Sequence, residues 1–174
     1  MIANLLFLSQ ALAAETAVPV PLQATLLTKV AAYDRSNSGD TGPILIVERD
    51  GDVASHRIAS QLQQALEGAE RPSSVARATF TSADAVAVQC AAAGAHIVYV
   101  ATALSPEETT ALAAALTGKN ILTVSSDPTS VPEGVVLAFD LISGQTKILI
   151  NLPQARAQGV DFDTALLSIA KVYK

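Results

Sequence analysis

The chain has few cysteine and aromatic residues. Cys90 is the only cysteine among 174 residues, so neither an intramolecular disulfide nor a cysteine-based zinc site can form. Tryptophan is absent and aromatic residues make up 4% of the chain, too few for an aromatic ligand cage or a base-stacking platform. We interpret Cys90, which lies in an alanine-rich run, as a small buried hydrophobic residue; a reactive or intermolecular thiol is the alternative.

Positive charge is also scarce. The formal net charge is −5, and the lysines and arginines are scattered along the chain. A nucleic-acid-binding protein needs a basic stripe to displace counterions from phosphates, and the sequence contains none. The same scarcity disfavours an anionic membrane surface as a partner. We therefore expect no nucleic-acid partner.

Motifs that carry catalysis are missing as well. The sequence contains no G-x-S-x-G elbow, H-E-x-x-H pair, Walker loop or G-x-G-x-x-G fingerprint. His56 and His96 are the only histidines, and we interpret both as structural. We predict no catalytic residue, no cofactor and no metal site. A cation held by Asp50 and Asp52, and a nucleophilic serine in the turn 125–127, are the alternatives.

The N-terminus resembles an export signal without its basic start. Ile2 to Leu8 form an apolar run, and Ala11 and Ala13 fit the A-x-A pattern before a cleavage site. We predict a signal peptide at 1–13, incomplete if the start is mis-assigned, and a connector at 14–21. The alternative is the first helix or tail of a cytoplasmic protein. No other stretch approaches the ~20 apolar residues that span a bilayer, so we expect a periplasmic product whose mature chain does not insert into the membrane.

Apolar runs alternate with capped amphipathic segments from residue 22 onward. In the first helix we expect Leu22, Leu26, Leu27, Val30 and Ala31 to share one buried face. The link at 142–146 is too short for a parallel crossover, so the last two strands should form a hairpin. The pattern predicts a single α/β domain at 22–174, with a three-layer, mostly parallel sheet flanked by helices and a C-terminal antiparallel hairpin. The predicted strands are 44–47, 75–80, 96–101, 121–124, 135–141 and 147–152, and the predicted helices are 22–33, 53–66, 83–93, 106–116, 153–158 and 163–172.

Polar residues follow two of the predicted strands. Asp50 comes after the first strand, and Ser125, Ser126 and Asp127 come after the fourth. Ligands of open α/β sheets bind at the carboxyl ends of the strands. These four residues are therefore the predicted lining of a crevice, if the domain binds a small ligand.

The last third of the chain carries a resemblance. Its segments are Ile121-Leu122-Thr123-Val124-Ser125-Ser126, Gly134-Val135-Val136-Leu137, Lys147-Ile148-Leu149-Ile150-Asn151-Leu152-Pro153-Gln154-Ala155-Arg156, Asp161-Phe162 and Leu166-Leu167-Ser168-Ile169-Ala170-Lys171-Val172. In this order they resemble the YfiR family of periplasmic proteins. The resemblance implies a regulator without enzyme activity that restrains an inner-membrane diguanylate cyclase, in cyclic-di-GMP and biofilm signalling. It also implies that an outer-membrane lipoprotein sequesters the regulator. Because Cys90 has no partner cysteine, redox control through an intrachain disulfide is not carried over.

Three residues of this motif region, Asn151, Arg156 and Asp161, are predicted either to stabilise the fold or to bind a partner. Asn151 ends a strand before Pro153, where its side chain can cap the next helix. Arg156 is either a surface cation or a guanidinium that ties the C-terminal helix to Asp161 or Asp163. A role for Arg156 in holding a partner or an anionic ligand is the functional alternative.

Two classes of function therefore stand side by side. The first is a protein-binding regulator of the envelope, with a membrane sensor or cyclase or an outer-membrane lipoprotein as its partner. The second is a small-ligand-binding domain that resembles one lobe of a periplasmic solute receptor. An enzyme is the third and weakest. The sequence leaves the oligomeric state open.

Overall fold

The computed structural model describes residues 17–37 and 41–174. The predicted signal peptide at 1–13, and the predicted connector up to residue 16, lie outside the described residues. The first helix begins at Val20, within the stretch predicted as connector. It starts there because Pro19 and Pro21 fix backbone angles that suit a helix N-terminus.

Helices and strands alternate along the described chain. The helices are α1 (Val20–Ala31), α2 (Val53–Glu67), α3 (Ala83–Ala93), α4 (Pro106–Ala115), α5 (Leu152–Gln158) and α6 (Thr164–Ile169). The strands are β1 (Ile44–Glu48), β2 (Val75–Thr79), β3 (Ile97–Val100), β4 (Leu122–Ser125), β5 (Leu137–Ile142), β6 (Gln145–Asn151) and β7 (Lys171–Tyr173).

The strands form one seven-stranded sheet in the order β2-β1-β3-β4-β5-β6-β7. The first five strands in this order run parallel, and β5 and β6 pair as an antiparallel hairpin from Leu137↔Ile150 to Ile142↔Gln145. The predicted α/β class and the C-terminal hairpin are thus confirmed. Because the chain goes from β1 to one side and then returns to the other, the topological switch point lies between β1 and β3.

Polar side chains cap the N-termini of α2, α3 and α4. Asp52 accepts hydrogen bonds from the backbone of Ala54 and Ser55, and Ser82 accepts one from Ala85. Ser105 and Glu108 form a capping box at the start of α4. These caps satisfy backbone N–H groups that would otherwise lack partners. α3 ends at Gly94, whose φ of 58° is a left-handed conformation that suits glycine.

Alternate residues of the sheet face two different helix layers. Ile44 and Ile46 belong to a core cluster with α1, α2, α5 and α6, whereas Leu45 and Val47 belong to a cluster with α3 and α4. A third, small cluster of Val131, Ala138 and Leu149 contains no described α-helical residue. The helices therefore cover one face along most of its width and the other face mainly over β1, β3 and β4.

Two predictions about individual elements were wrong. Leu22 is 40% exposed and Leu26 is half-buried, so the buried face of α1 consists instead of Gln23, Ala24, Leu27, Val30 and Ala31. The last helix was predicted to reach Val172, but α6 ends at Ile169 and residues 171–173 form β7. β7 pairs in parallel with β6, Leu149 opposite Lys171 and Asn151 opposite Tyr173, which provides backbone partners for an edge that the helix would have left open.

Candidate functional site

The residues predicted to line a crevice lie at one edge of the sheet but do not form one pocket. Asp50 is exposed in the turn after β1, in a cavity of about 290 Å³ lined by residues 48–53, His56 and Thr79. Ser125, Ser126 and Asp127 follow β4 and are not part of that lining. β3 lies between β1 and β4, which places about two strand spacings, roughly 10 Å, between the two groups.

In the second group, the side chains of Ser125 and Asp127 accept hydrogen bonds from within their own turn. Ser125 Oγ accepts a bond from the backbone N–H of Asp127 at 3.0 Å, and Ser125 is buried. The carboxylate of Asp127 accepts bonds from the backbone N–H and the hydroxyl of Thr129, at 2.9 and 2.7 Å. The backbone N–H of Ser126 bonds to Val100. These interactions hold the turn together and leave Asp127 directed at its own backbone.

An ion pair spans the switch point itself. Arg49, at the end of β1, donates to Oε2 of Glu108 on α4 at 2.8 Å, and its guanidinium lies 5.4 Å from the ring centre of Phe80. Oε2 of Glu108 also accepts the backbone N–H of Ser105 at 2.9 Å. That bond, followed by the contact with Arg49, lowers the pKa of Glu108 below its ordinary value. The place where the fold usually receives a ligand is therefore bridged by side chains of the chain.

In the part of the chain that the structure describes, neither histidine side chain forms a hydrogen bond with a serine hydroxyl. His56 Nδ1 lies 3.1 Å from Glu48 and 3.1 Å from Arg77. Arg77 in turn binds both carboxylate oxygens of Glu48, at 3.1 and 2.5 Å. His96 precedes β3, at the opposite edge of the sheet from Ser126, and packs against Gly42. In the described ranges, no three His, Cys, Asp or Glu side chains group together to hold a metal ion.

Cys90 lies in the core between α3 and the sheet. Its side chain is buried, and desolvation raises the pKa of its thiol from 9.0 to about 11 despite the nearby charge of Lys119. A thiol with such a pKa is protonated at neutral pH and is a poor nucleophile. The buried interpretation from the sequence is confirmed.

The three motif residues lie apart from the carboxyl edge. Asn151 caps α5 by accepting the backbone N–H of Gln154 at 3.0 Å, and its amide donates to the carbonyl of Val131 at 2.8 Å. Asp161 pairs with Arg35 at 3.3 Å, not with Arg156. Arg156 is exposed and forms no ion pair with a described residue. It is therefore a surface cation, the first of the two alternatives.

The structure contains an exposed apolar groove that was not predicted from the sequence. It lies between α1, α6 and β6 and has a volume of about 470 Å³. We call it the α1–α6 groove. Ile169 is 67% exposed and Tyr33 40% exposed, although both are large apolar or aromatic residues. Its lining residues are Leu26, Lys29, Val30, Ala32, Tyr33, Ile148, Leu166 and Ile169.

The apolar content of α1 is divided between two sides of the helix. The inner side is fixed to the sheet, because the hydroxyl of Tyr99 on β3 donates to Gln23 at 2.6 Å and Gln23 donates to the carbonyl of Val18 at 2.8 Å. Leu22, Leu26 and Lys29 follow one another at spacings of four and three residues, which places them on one outward stripe of α1, and Tyr33 follows in the turn after the helix. A helix with an apolar outward stripe presents a surface that other helices pack against.

Backbone contacts hold the two sides of the groove at a fixed separation. The N–H of Asp163, the residue before α6, donates to the carbonyl of Tyr33 at 2.9 Å, and the N–H of Arg35 donates to the carbonyl of Asp161 at 2.8 Å. Asp34 and Phe162 form an isolated β-bridge between these two bonds. The groove is therefore built into the fold and does not depend on flexible side chains alone.

The sequence did contain a signal for this groove. α1 has more apolar residues than one buried face requires, and Leu22, Leu26 and Tyr33 match helical spacing on their own. Ile169 at the end of α6 gave no such signal, because only the folded chain brings it beside α1. Arg49 and Glu108 were missed for the same reason, since 58 residues separate them in the sequence.

The comparison with known protein families shows to which family the chain belongs. The family model described as YfiR/HmsC-like matches residues 22–171. The chain belongs to the YfiR/HmsC-like family. Membership supports a periplasmic regulator in general terms and places the chain in a regulatory, non-catalytic family. No curated protein matches the sequence.

Solved structures with the same fold have low sequence identity to this chain. One is a substrate-binding protein with adhesive properties from Clostridium difficile, in its ligand-free open form (TM-score 0.71, 14% identity, 91% of this chain and 61% of that one). A second is a conserved domain protein from Vibrio cholerae O1 biovar El Tor (TM-score 0.64, 13% identity, 90% of this chain and 60% of that one). A third is an ABC domain in complex with L-Trp from Streptococcus pneumoniae (TM-score 0.63, 12% identity, 88% of this chain and 61% of that one). The chain spans about three fifths of the length of these proteins, and the likeness concerns the fold alone.

Within residues 17–37 and 41–174, no helix combines the length and the apolar character that crossing a bilayer requires.

Proposed function

We propose that the protein is a non-enzymatic periplasmic regulator that restrains an inner-membrane diguanylate cyclase by binding the periplasmic part of that membrane protein. An N-terminal signal peptide would export the chain, and an outer-membrane lipoprotein would compete for it. The single observation that carries the proposal is the exposed, rigidly framed α1–α6 groove in a chain of a regulatory family. Contiguous exposed apolar surface of this kind typically marks a place where another protein binds.

The electrostatics of the carboxyl edge support a protein partner over a small anionic ligand. Asp52, Ser82 and the Ser105–Glu108 box already occupy the starts of α2, α3 and α4. Helix N-termini bind anions through the same N–H groups. An incoming anion would have to displace these caps, whereas a protein that docks on the α1–α6 groove leaves them in place.

Affinity capture from the envelope of the native host tests the proposal. The exported chain, fixed at its C-terminus, is expected to retain a membrane protein that has both a periplasmic sensor region and a cyclase domain. Deletion of its gene is expected to raise cellular cyclic-di-GMP and surface attachment. Retention of no such protein, together with unchanged cyclic-di-GMP after deletion, would contradict the proposal.

A small-ligand-binding domain is the second candidate. It is favoured by the fold shared with the Clostridium difficile substrate-binding protein and by the cavity beside Asp50. Thermal-shift screening with amino acids and other small metabolites separates the candidates, because a ligand at 100 times its dissociation constant adds about 2.7 kcal/mol to stability. A stabilising compound whose effect disappears in Arg49→Ala would favour this candidate over the first.

A further inference from the structure

The charge of the α1–α6 groove carries information about its occupant. Among the described residues of the lining, Lys29 is the only charged one, and it is also the only charged residue of α1. Its side chain is exposed and forms no ion pair with a described residue. A protein with a net charge of −5 therefore exposes, in the lining of this apolar groove, a cation that forms no ion pair with a described residue.

The position of Lys29 fixes where a complementary charge would lie. Lys29 follows Leu22 and Leu26 on the outward stripe of α1, and Tyr33 comes next in the turn after the helix. An occupant that packs along this stripe has apolar side chains on both sides of the point opposite Lys29. A carboxylate at that point would form an ion pair that the surrounding apolar contacts partly shield from water.

A second copy of the chain does not supply that carboxylate from the same surface. None of the lining residues within 17–37 and 41–174 is acidic, and a twofold interface brings the same patch together from both copies. Two grooves placed face to face would therefore bury Lys29 of each copy without a counter-ion, which costs free energy. A partner of different sequence fits the groove better.

We propose that the α1–α6 groove binds an amphipathic helix of a partner protein whose apolar stripe contains one Asp or Glu opposite Lys29. The apolar residues of that helix fill the space between Leu26, Tyr33, Ile148 and Ile169, and its carboxylate sets the register by pairing with Lys29. This inference rests on the proposed function in that it takes the groove to be the regulatory partner's site.

Synthetic peptides test the chemistry without the natural partner. The probes are blocked, fluorescently labelled helices of about 16 residues, long enough to form a helix. They have a leucine and alanine stripe with Glu, Gln or Lys at one central position. The wild-type protein is expected to bind the Glu peptide about fivefold more tightly than the Gln peptide and to bind the Lys peptide least well.

Substitutions in the protein provide the matched controls. Lys29→Glu should reverse the order, with the Lys peptide bound best. Ile169→Ser should weaken binding of every peptide, whereas Val88→Ser should not, because Val88 is equally exposed at 68% but lies on α3, across the sheet. Circular dichroism and thermal melting check that each variant remains folded.

Several outcomes would overturn the inference. These are equal affinities for the three peptides, an order unchanged by Lys29→Glu, no peptide bound at all, or a wild-type dimer that Ile169→Ser dissociates. The last result would make a second copy the occupant. If a cyclase is captured equally well by wild-type and Lys29→Glu protein, the inference fails and the proposed function stands. If the peptides behave as expected but no cyclase is captured, the inference stands and the proposed function fails.

Discussion

Burial determines the chemistry of the only thiol. Desolvation of Cys90 raises its pKa from 9.0 to about 11, which lowers the thiolate fraction at neutral pH about a hundredfold. We expect iodoacetamide at neutral pH to leave the folded protein unmodified over a time in which the guanidinium-unfolded protein is fully alkylated. Intact mass measured at intervals gives the two rates. Labelling at similar rates in both states would contradict the burial of this side chain.

Asn151 forms hydrogen bonds with two backbone segments. We therefore expect different substitutions at this position to lower the free energy of unfolding by different amounts. Asn151→Ala removes the cap of α5 and the bond to the carbonyl of Val131, and we expect a loss of about 2 kcal/mol in the free energy of unfolding. Asn151→Ser retains a capping oxygen and should lose about half as much. Urea unfolding followed by circular dichroism measures both. Equal stability of Asn151→Ala and the wild type would show that neither bond contributes.

Single residues differ in how far the sequence predicts their roles. Asn151 was predicted as a cap because its partner, Gln154, lies three residues away and local spacing is sufficient. The partner of Asp161 was not predicted, because Arg35 lies on the other side of the groove and 126 positions away in the chain. Chemistry between distant residues depends on the assembled sheet, which no local pattern describes.

The start of α4 makes stability depend on pH. The backbone N–H of Ser105, and then Arg49, lower the pKa of Glu108 from its ordinary value of 4.5. A carboxyl group whose pKa is lower in the folded state stabilises the fold above its unfolded pKa and loses this effect as the pH falls through the folded pKa. The wild type should therefore be more stable than Glu108→Gln at neutral pH, and this difference should shrink as the pH is lowered below 4.5.

Denaturant unfolding of both proteins at neutral pH and at several acidic pH values measures that difference. Arg49→Ala serves as the control, because it removes the ion pair but leaves the capping box intact, so part of the pH dependence should remain. A difference between wild type and Glu108→Gln that is constant with pH would contradict the assignment.

Elements with local start and stop signals were predictable, and those defined by their neighbours were not. The capping box, Ser82 and Gly94 lie where their residue types require, so α3 and α4 were predicted within a residue of their bounds. Lys171 to Tyr173 have no strand signal of their own. They form β7 because the edge of β6 offers backbone partners. The two sides of α1 were confused for a related reason, since periodicity shows that residues share a side but not which side is buried.

At the scale of the whole molecule, two surfaces are candidates for the functional site. The carboxyl edge of the sheet is the usual ligand site of this architecture, yet here the Arg49–Glu108 pair spans its switch point and helix caps occupy its N–H groups. The α1–α6 groove is open, apolar and framed by backbone hydrogen bonds. The central claim is that the protein acts through the groove.

A pair of chromosomal substitutions in the native host tests this claim most directly, with cellular cyclic-di-GMP as the measurement. Ile169 and Val88 are exposed to the same degree, 67% and 68%, so an aspartate at either position should leave the fold intact. We predict that Ile169→Asp raises cyclic-di-GMP to the level of the gene deletion, while Val88→Asp leaves it at the wild-type level. Wild-type cyclic-di-GMP in the Ile169→Asp strain, with the protein present in normal amount, would contradict the account.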